Sequence, residues 1–299
     1  MRVFVTGATG FIGSAVVHDL LSAGHQVHAL VRSDAQASSL AAAGATPVRG
    51  TLEDLEVLRR GAAEADGVIH TAFVVDFADF VRGCAIDQRA IATMGEALVG
   101  SDRPFVVTSG TPFVAGRVAT EQDDPDRANP IIALRAPAED ITLALAARGV
   151  RASLVRQPRS VHGTSEQGWR GGLVHLLADL ARTRGESAYI DDGAQRWPAV
   201  HRLDAARLYR LALERAPAGA RLHATAEEGV SLRDIATALG RRLGVPAVSR
   251  SREAAAEAFG PLASLVGTDQ TASSALTRER LGWQPVGPTL LADLEANLA

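Results

Sequence analysis

The chain has 299 residues, 46% hydrophobic and 4% aromatic, with a formal charge of −3. That length suits about two domains with a sizeable core, and a mildly negative charge with no basic block excludes nucleic acid and anionic membrane surfaces as expected partners. A single cysteine (Cys84), scattered histidines and no apolar run of spanning length exclude an internal disulfide, a metal site and a membrane span, and fit a cytoplasmic protein.

Residues 3–6 read as an apolar, β-branched strand, not a signal peptide; it ends at Gly7, and Gly10 and Gly13 follow at three-residue steps. Phe11, Ile12, Ala15, Val16 and Leu20 then begin a helical pattern that Gly24 closes. Strand, glycine turn and helix in this order make an anion cradle. The turn needs torsions open to glycine, and the helix start presents unpaired N–H groups and its positive dipole end.

Further strands are expected at 26–31, 46–49, 67–70, 104–108 and 151–156. The helices between them are expected at 34–43, near 52–63, at about 84–99 and at 137–148. Such alternation implies right-handed βαβ units and an α/β fold, a doubly wound parallel sheet covered on both faces. Gly7, Arg32, Thr51, residues 70–73, Ser109 and Pro158 fall at the carboxyl ends of its strands, where ligands bind. After Pro158 the alternation decays. Residues 162–169 read as a loop, 172–182 as a helix, 189–194 as a turn, 203–215 as a helix and 222–225 as a strand. Ser231 caps a helix to 243, and a last helix starts near 290.

These residues resemble a known family. Thr6-Gly7-Ala8-Thr9-Gly10-Phe11-Ile12-Gly13 is similar to the TGxxGxxG fingerprint of extended short-chain dehydrogenases/reductases, the NAD-dependent epimerase/dehydratase-like family. Val68-Ile69-His70-Thr71-Ala72 resembles its fourth strand, Val200–Ala206 its VHVDDxA segment and Leu281-Gly282-Trp283-Gln284-Pro285 its LGWxP. The resemblance implies a Rossmann dinucleotide-binding domain over 1–157, with contributions from about 190–225, and a smaller substrate-binding lobe over 158–299. It is also compatible with a homodimer through the long helices.

The resemblance assigns cofactor contacts to Gly7, Thr9, Gly10, Phe11, Ile12 and Gly13. It adds Thr51, Leu52, Thr71, Ala72, Phe73, Thr108, Arg135, Gln157, Pro158 and Ser160. After the second strand stand Arg32 and Ser33, where NAD-type sites carry a carboxylate. An arginine fork suits a ribose 2′-phosphate, so NADPH is the expected cofactor. Asp34 is expected to cap the next helix.

The departure lies in the catalytic set. The family uses a Ser/Thr, a Tyr and a Lys, the latter two in YxxxK. Here Ile131 stands at the tyrosine position and Arg135 at the lysine position, and the chain contains no lysine. Gly110 replaces the usual serine, leaving Thr111 and Ser109 as candidate catalytic hydroxyls or plain turn residues. Arginine stays protonated and cannot act as acid or base at neutral pH. Hydride transfer still requires only a cofactor and a carbonyl held in line. A phenol beside the ketone can supply the proton.

Atypical family members that reduce aromatic polyketides have this character, the angucyclinone ketoreductase of simocyclinone biosynthesis among them, and the chain resembles that type. The expected substrate is a bulky aromatic ketone. Val75, Phe113, His162, Trp169 and Trp197 are candidates to bind it, with Phe73, Val74, Phe77 and Phe80 as further apolar lining. His162 and His201 are the histidines able to donate a proton near the site. The alternatives are a non-enzymatic NADP-binding regulator, or an isomerase or reductase of another carbonyl.

Overall fold

Val3, Phe4 and Val5 alternate between two apolar cores because successive strand side chains face opposite ways. The computed structural model describes residues 1–74, 79–165 and 168–298. Val75 and Phe77, expected at the substrate cleft, lie outside the described residues. The first half runs β1 (Arg2–Thr6), α1 (Phe11–Ser22), β2 (Gln26–Val31), α2 (Asp34–Ala42), β3 (Thr46–Arg49), α3 (Leu55–Glu64), β4 (Gly67–His70), α4 (Phe80–Glu96), β5 (Pro104–Gly110), α5 (Pro130–Ala146) and β6 (Arg151–Gln157). The second half runs β7 (Ser160–Ser165), β8 (Gly168–Arg170), α6 (Leu173–Arg184), β9 (Ser187–Ile190), β10 (Arg196–His201), α7 (Arg202–Arg215), β11 (Ala220–His223), β12 (Glu227–Ser231), α8 (Leu232–Leu243), β13 (Ala247–Arg250), α9 (Ala255–Phe259), α10 (Ala263–Val266), α11 (Ala275–Leu281) and α12 (Leu290–Asn297).

Seven strands pair in parallel in the order β11-β6-β5-β4-β1-β2-β3. The chain starts in the middle, builds outward through β2 and β3, then returns to build the other side from β4. The order therefore reverses between β1 and β4, and a crevice opens beyond their carboxyl ends. One core holds Val3, Val5, Val16 and Leu20 with Leu208 and Tyr209 of α7. The other holds Phe4, Leu58, Ile86, Ile91 and Leu145. A third core joins Trp169, Trp197, Ile235, Leu239 and Leu294 around a four-stranded sheet of order β12-β10-β7-β8. Among the described residues no helix is long and apolar enough to cross a membrane.

Four expectations are corrected. Residues 162–169, read as a loop, belong largely to β7 and β8, and residues 189–190, read as turn, end β9. In β7 the run Ser160-Val161-His162-Gly163 is buried throughout, so polar–apolar alternation is absent. The polar His162 meets Asp293 of α12, far along the chain, through its Nδ1. The helix expected to begin at Pro137 begins at Pro130. Asn129 caps it by accepting from the N–H of Ile131 at 3.0 Å and of Ile132 at 3.3 Å, which places Pro137 in the interior. Ser33, not Asp34, caps α2, accepting from Gln36 N at 3.3 Å.

The segment after α11 is pinned to the start of α7. Asp204, buried, accepts from Val286 N (3.0 Å) and Gly287 N (2.8 Å) and pairs with Arg207, while Trp283 Nε1 donates to its carbonyl (3.0 Å). Hydrogen bonds to a buried charge contribute about 1.5–3 kcal/mol each. Asp204→Ala is expected to destabilise the fold by about 3 kcal/mol in urea unfolding, and Asp204→Asn by less; unchanged midpoints would show that the carboxylate does not hold this segment.

Candidate functional site

The glycine loop is shaped by contacts that leave no room for side chains. Gly7 has φ +74°, and a Cβ on it would lie 2.6 Å from Ala72 N and 2.7 Å from Thr71 Oγ1. A Cβ on Gly13 would lie 2.0 Å from Gly7 O, so the helix packs directly on the turn. A Cβ on Gly10 would meet only Gly7 O, at 3.1 Å. Helix α1 has no side-chain cap and no acidic residue in its first turn. Its amides and dipole are thus available to an anion. Arg202, largely buried, braces this turn by donating to Phe11 O (3.0 Å) and Ser14 Oγ (2.7 Å) while stacking over the Phe11 ring.

Beside the loop lies a cavity of about 510 Å³. Gly7, Thr9, Gly10, Arg32, Thr51, Leu52, Thr71, Ala72 and Phe73 line it, as expected from the sequence. Phe11 and Ser33 are chain neighbours of lining residues, and Ile12 and Gly13 follow Phe11 in the first turn of α1. Gln36 was missed. Its Nε2 donates to Thr9 Oγ1 (3.1 Å) and its Oε1 accepts from Arg32 N (3.0 Å), joining the first and second βα turns. The signal was present, since Ser33-Asp34-Ala35-Gln36 has capping-box spacing. Arg82 and Glu53, also missed, form an ion pair at 3.0 Å on the cavity wall. Thr51 gives its N–H (2.7 Å) and hydroxyl (2.9 Å) to Asp54. The exposed Asp34 pairs with Arg49 at 3.5 Å.

At the expected catalytic positions the structure shows no tyrosine. Ile131 is 57% exposed. One turn on, Arg135 donates to Asp87 Oδ2 at 2.8 Å and its guanidinium lies 4.1 Å from the centroid of the Phe73 ring. Phe80 packs on the same ring. Thr108 donates to His70 O (2.8 Å) and lies 2.6 Å from the hydroxyl of Tyr209, which also accepts from Gln157 Nε2 (3.1 Å). Tyr209 is fully buried, and burial raises its pKa to about 12. It braces Thr108 and Gln157 from below and does not replace the missing acid. Ser109 is half-buried at the end of β5. Thr111, buried, is engaged by Gln270 Nε2 at its carbonyl (2.8 Å) and hydroxyl (3.3 Å). It therefore braces the loop after β5.

Several expected ligand contacts are packed inside instead. Ser160 is fully buried in β7, and Gln157 and Pro158 are buried at the end of β6. His162 and Trp169 both point to Asp293 of α12, at 2.8 and 2.6 Å, and Trp197 lies in the third core. They are therefore packed in the core, where one buried carboxylate partners His162 Nδ1 and Trp169 Nε1 and leaves His162 Nε2 without a partner among the described residues. Burial raises the Asp293 carboxyl, but hydrogen bonds from His162, Trp169 and Asn297 outweigh it and hold the group below the usual range. His201 packs edge-on to His162, and burial, with the His162 ring beside it, lowers its pKa and disfavours its acid form. Phe113 stays half-buried.

A sequence profile described as the NAD dependent epimerase/dehydratase family matches residues 3–224. The chain belongs to that family. It is 48% identical over 300 residues, 99% of each chain, to a Schizosaccharomyces pombe protein described as uncharacterized. It is 28% identical over 259 residues, 83% of this chain and 75% of the relative, to the 4-hydroxy-2-methyl-3-oxo-4-farnesyl-3,4-dihydroquinoline-1-oxide ketoreductase of Stigmatella aurantiaca. In fold it matches the UDP-glucose 4-epimerase of Thermotoga maritima with a TM-score of 0.78 at 20% identity, over 99% of this chain and 96% of that one. As an epimerase/dehydratase-family oxidoreductase it is expected to hold a dinucleotide. The residues fit one, because added side chains at Gly7 and Gly13 would collide with backbone and α1 begins uncapped.

Beneath the strand ends lies a buried charged floor. Arg156 of β6 donates to Glu139 of α5 at 3.0 and 2.6 Å and to Asp123 O at 2.8 Å. Its register partner His223 donates from Nδ1 to Ser273 O at 2.8 Å, and burial pushes its pKa down to about 4. Above pH 6.5 the histidine is neutral folded or unfolded. Between 6.5 and about 4 the unfolded chain takes up a proton that the folded chain refuses, so stability falls with falling pH. The contribution totals about 3 kcal/mol. Urea titrations from pH 7 to pH 4 are expected to show this decline, and His223→Asn to flatten it; equal slopes in both proteins would exclude His223 as its source.

Proposed function

We propose that this protein is an NADPH-dependent ketoreductase of a bulky, polycyclic aromatic ketone that brings its own proton. The observation that carries this reading is an intact dinucleotide cradle beside an exposed Ile131 and a bound Arg135. Residues 1–157, with 190–225, form the cofactor half of the reading, and 158–299 the substrate lobe.

Several features support it. Arg32 is exposed on the cavity wall with no carboxylate partner recorded among the described residues, and the neighbouring Asp34 is taken by Arg49. A planar, permanently charged fork suits a 2′-phosphate. The amides at the start of α1 would hold the pyrophosphate, and Gln36 ties Thr9 to the Arg32 backbone beside them. When bound, the cofactor supplies a hydride. The chain's part is then to orient the carbonyl and exclude water. Val74, Val81 and Ile131 are exposed apolar side chains on the segment after β4 and the first turns of α4 and α5. Of these Val74 lines the cavity, which favours an apolar substrate over a polar one. The named activity of the Stigmatella aurantiaca relative, reduction of a ketone on a farnesylated ring system, points the same way. Polyketide tailoring is the finest part of the proposal.

Two measurements test it. NADPH oxidation against a panel of hydroxyanthraquinones and angucyclinones is expected to show turnover with at least one member. Cofactor binding without any turnover would sink the ketoreductase and favour a dinucleotide-binding regulator. Arg32→Ala is expected to weaken NADPH binding by about 10- to 100-fold, the value of one or two charge-assisted hydrogen bonds, and NADH binding far less. Equal losses would remove Arg32 from the 2′-phosphate site.

A further inference from the structure

A line of buried side chains ties Arg135 to the first strand. Arg135 Nη1 donates to Asp87 Oδ2 at 2.8 Å, Asp87 Oδ1 lies 3.0 Å from His70 Nε2, and His70 Nδ1 lies 2.6 Å from Thr6 Oγ1. Asp87, His70 and Thr6 are all buried. An ionised Asp87 accepts from both neighbours. The imidazole proton is therefore assigned to Nε2, and Nδ1 accepts from the Thr6 hydroxyl.

This line ends immediately before Gly7, so the orientation of Arg135 is referenced to the glycine loop. On its other side the guanidinium is stacked on Phe73, which lines the cavity. Asp87 at one end and the ring face beneath leave the fork little rotational freedom. The side chain is 24% exposed, so it is not sealed off by Asp87 and Phe73. Asp87 neutralises the net charge, and what remains for a ligand is a set of directed N–H donors. Such a group cannot release a proton near neutral pH, but it can stabilise an oxyanion.

We propose that Arg135 is the fixed hydrogen-bond donor to a phenolate or enolate oxygen of the hydride acceptor, with Asp87 and His70 as its positioning residues. The proposal rests on the reductase reading of the site and narrows its substrate class. In the step, the carbonyl carbon gains a C–H bond and an electron pair from the reduced nicotinamide, which is left oxidised. The carbonyl oxygen takes the proton of the adjacent phenol or enol. The anion left behind is held by Arg135 and regains its proton from water. Ketones with no acidic hydroxyl beside the carbonyl leave an alkoxide with no acid in reach, and are poor substrates.

The test uses quinizarin (1,4-dihydroxyanthraquinone), both of whose hydroxyls lie beside a carbonyl and whose visible absorbance changes on ionisation, titrated with pH in complex with the protein and NADP⁺. The bound phenol is expected to ionise at least tenfold more readily than free quinizarin. Arg135→Gln is expected to abolish the shift, and Arg135→Lys to restore part of it. Asp87→Asn separates charge from position. Removing the neutralising carboxylate would enlarge the shift if Arg135 acted by charge alone, whereas loss of the clamp shrinks it. Should Asp87→Asn not fold, His70→Gln carries the same comparison, with a smaller shift expected. No quinizarin binding, no shift in the wild-type protein, or a shift kept in Arg135→Gln overturns the assignment of Arg135. A larger shift in Asp87→Asn, or an unchanged one in it or in His70→Gln, overturns the positioning role. A shift without NADPH turnover on any panel member sinks the reductase reading and leaves the anion site standing; turnover without a shift does the reverse.

Discussion

The close approach of the first turn to the segment after β4 is the constraint on which the site depends. Gly7 sits against Ala72 N and Thr71 Oγ1, and Gly13 against Gly7 O, at separations that exclude even a methyl group. Thr71 also donates its hydroxyl (2.8 Å) and its N–H (3.2 Å) to Thr6 O, so the two strand ends at the reversal of the sheet are stitched together. A side chain at either glycine would push α1 off the turn and open the crevice. The cavity, the uncapped helix start and the bracing by Gln36 and Arg202 all presuppose this geometry.

From that seam two kinds of polar structure extend. Towards the cavity stand the uncapped start of α1 and the exposed Arg32, while Arg135 stacks on the cavity-lining Phe73. Below it, groups are paired within the protein: Arg156 with Glu139, His223 with Ser273 O, Tyr209 with Thr108 and Gln157. Buried polar groups are costly unless satisfied, and these pairings offset much of that cost, with His223 Nε2 and Gln157 Oε1 left without a partner among the described residues. A site without its own acid depends on orientation, which is what such pairings contribute.

The second half of the chain places its polar residues by a different logic. Asp293 of the last helix gathers His162 and Trp169, and Asp204 gathers the segment 283–287. Each carboxylate reaches across many residues of sequence, so no local pattern announces it. Histidine and tryptophan suggested substrate contacts because those residue types often line clefts, yet here they close a core.

The sequence by itself determined the alternation of strands and helices, the parallel sheet, the glycine cradle and most of the cavity wall, because these follow from hydrophobic period and glycine spacing over a few residues. It also determined that Ile131 and Arg135 stand where the family carries tyrosine and lysine. Only the tertiary structure decided what surrounds them. The pairing of Arg135 with Asp87, the link onward to His70 and Thr6, the burial of Trp197 and Ser160 and the bracing role of Thr111 depend on residues brought together from distant elements. Such contacts are set by packing between elements, which leaves no periodic trace along the chain.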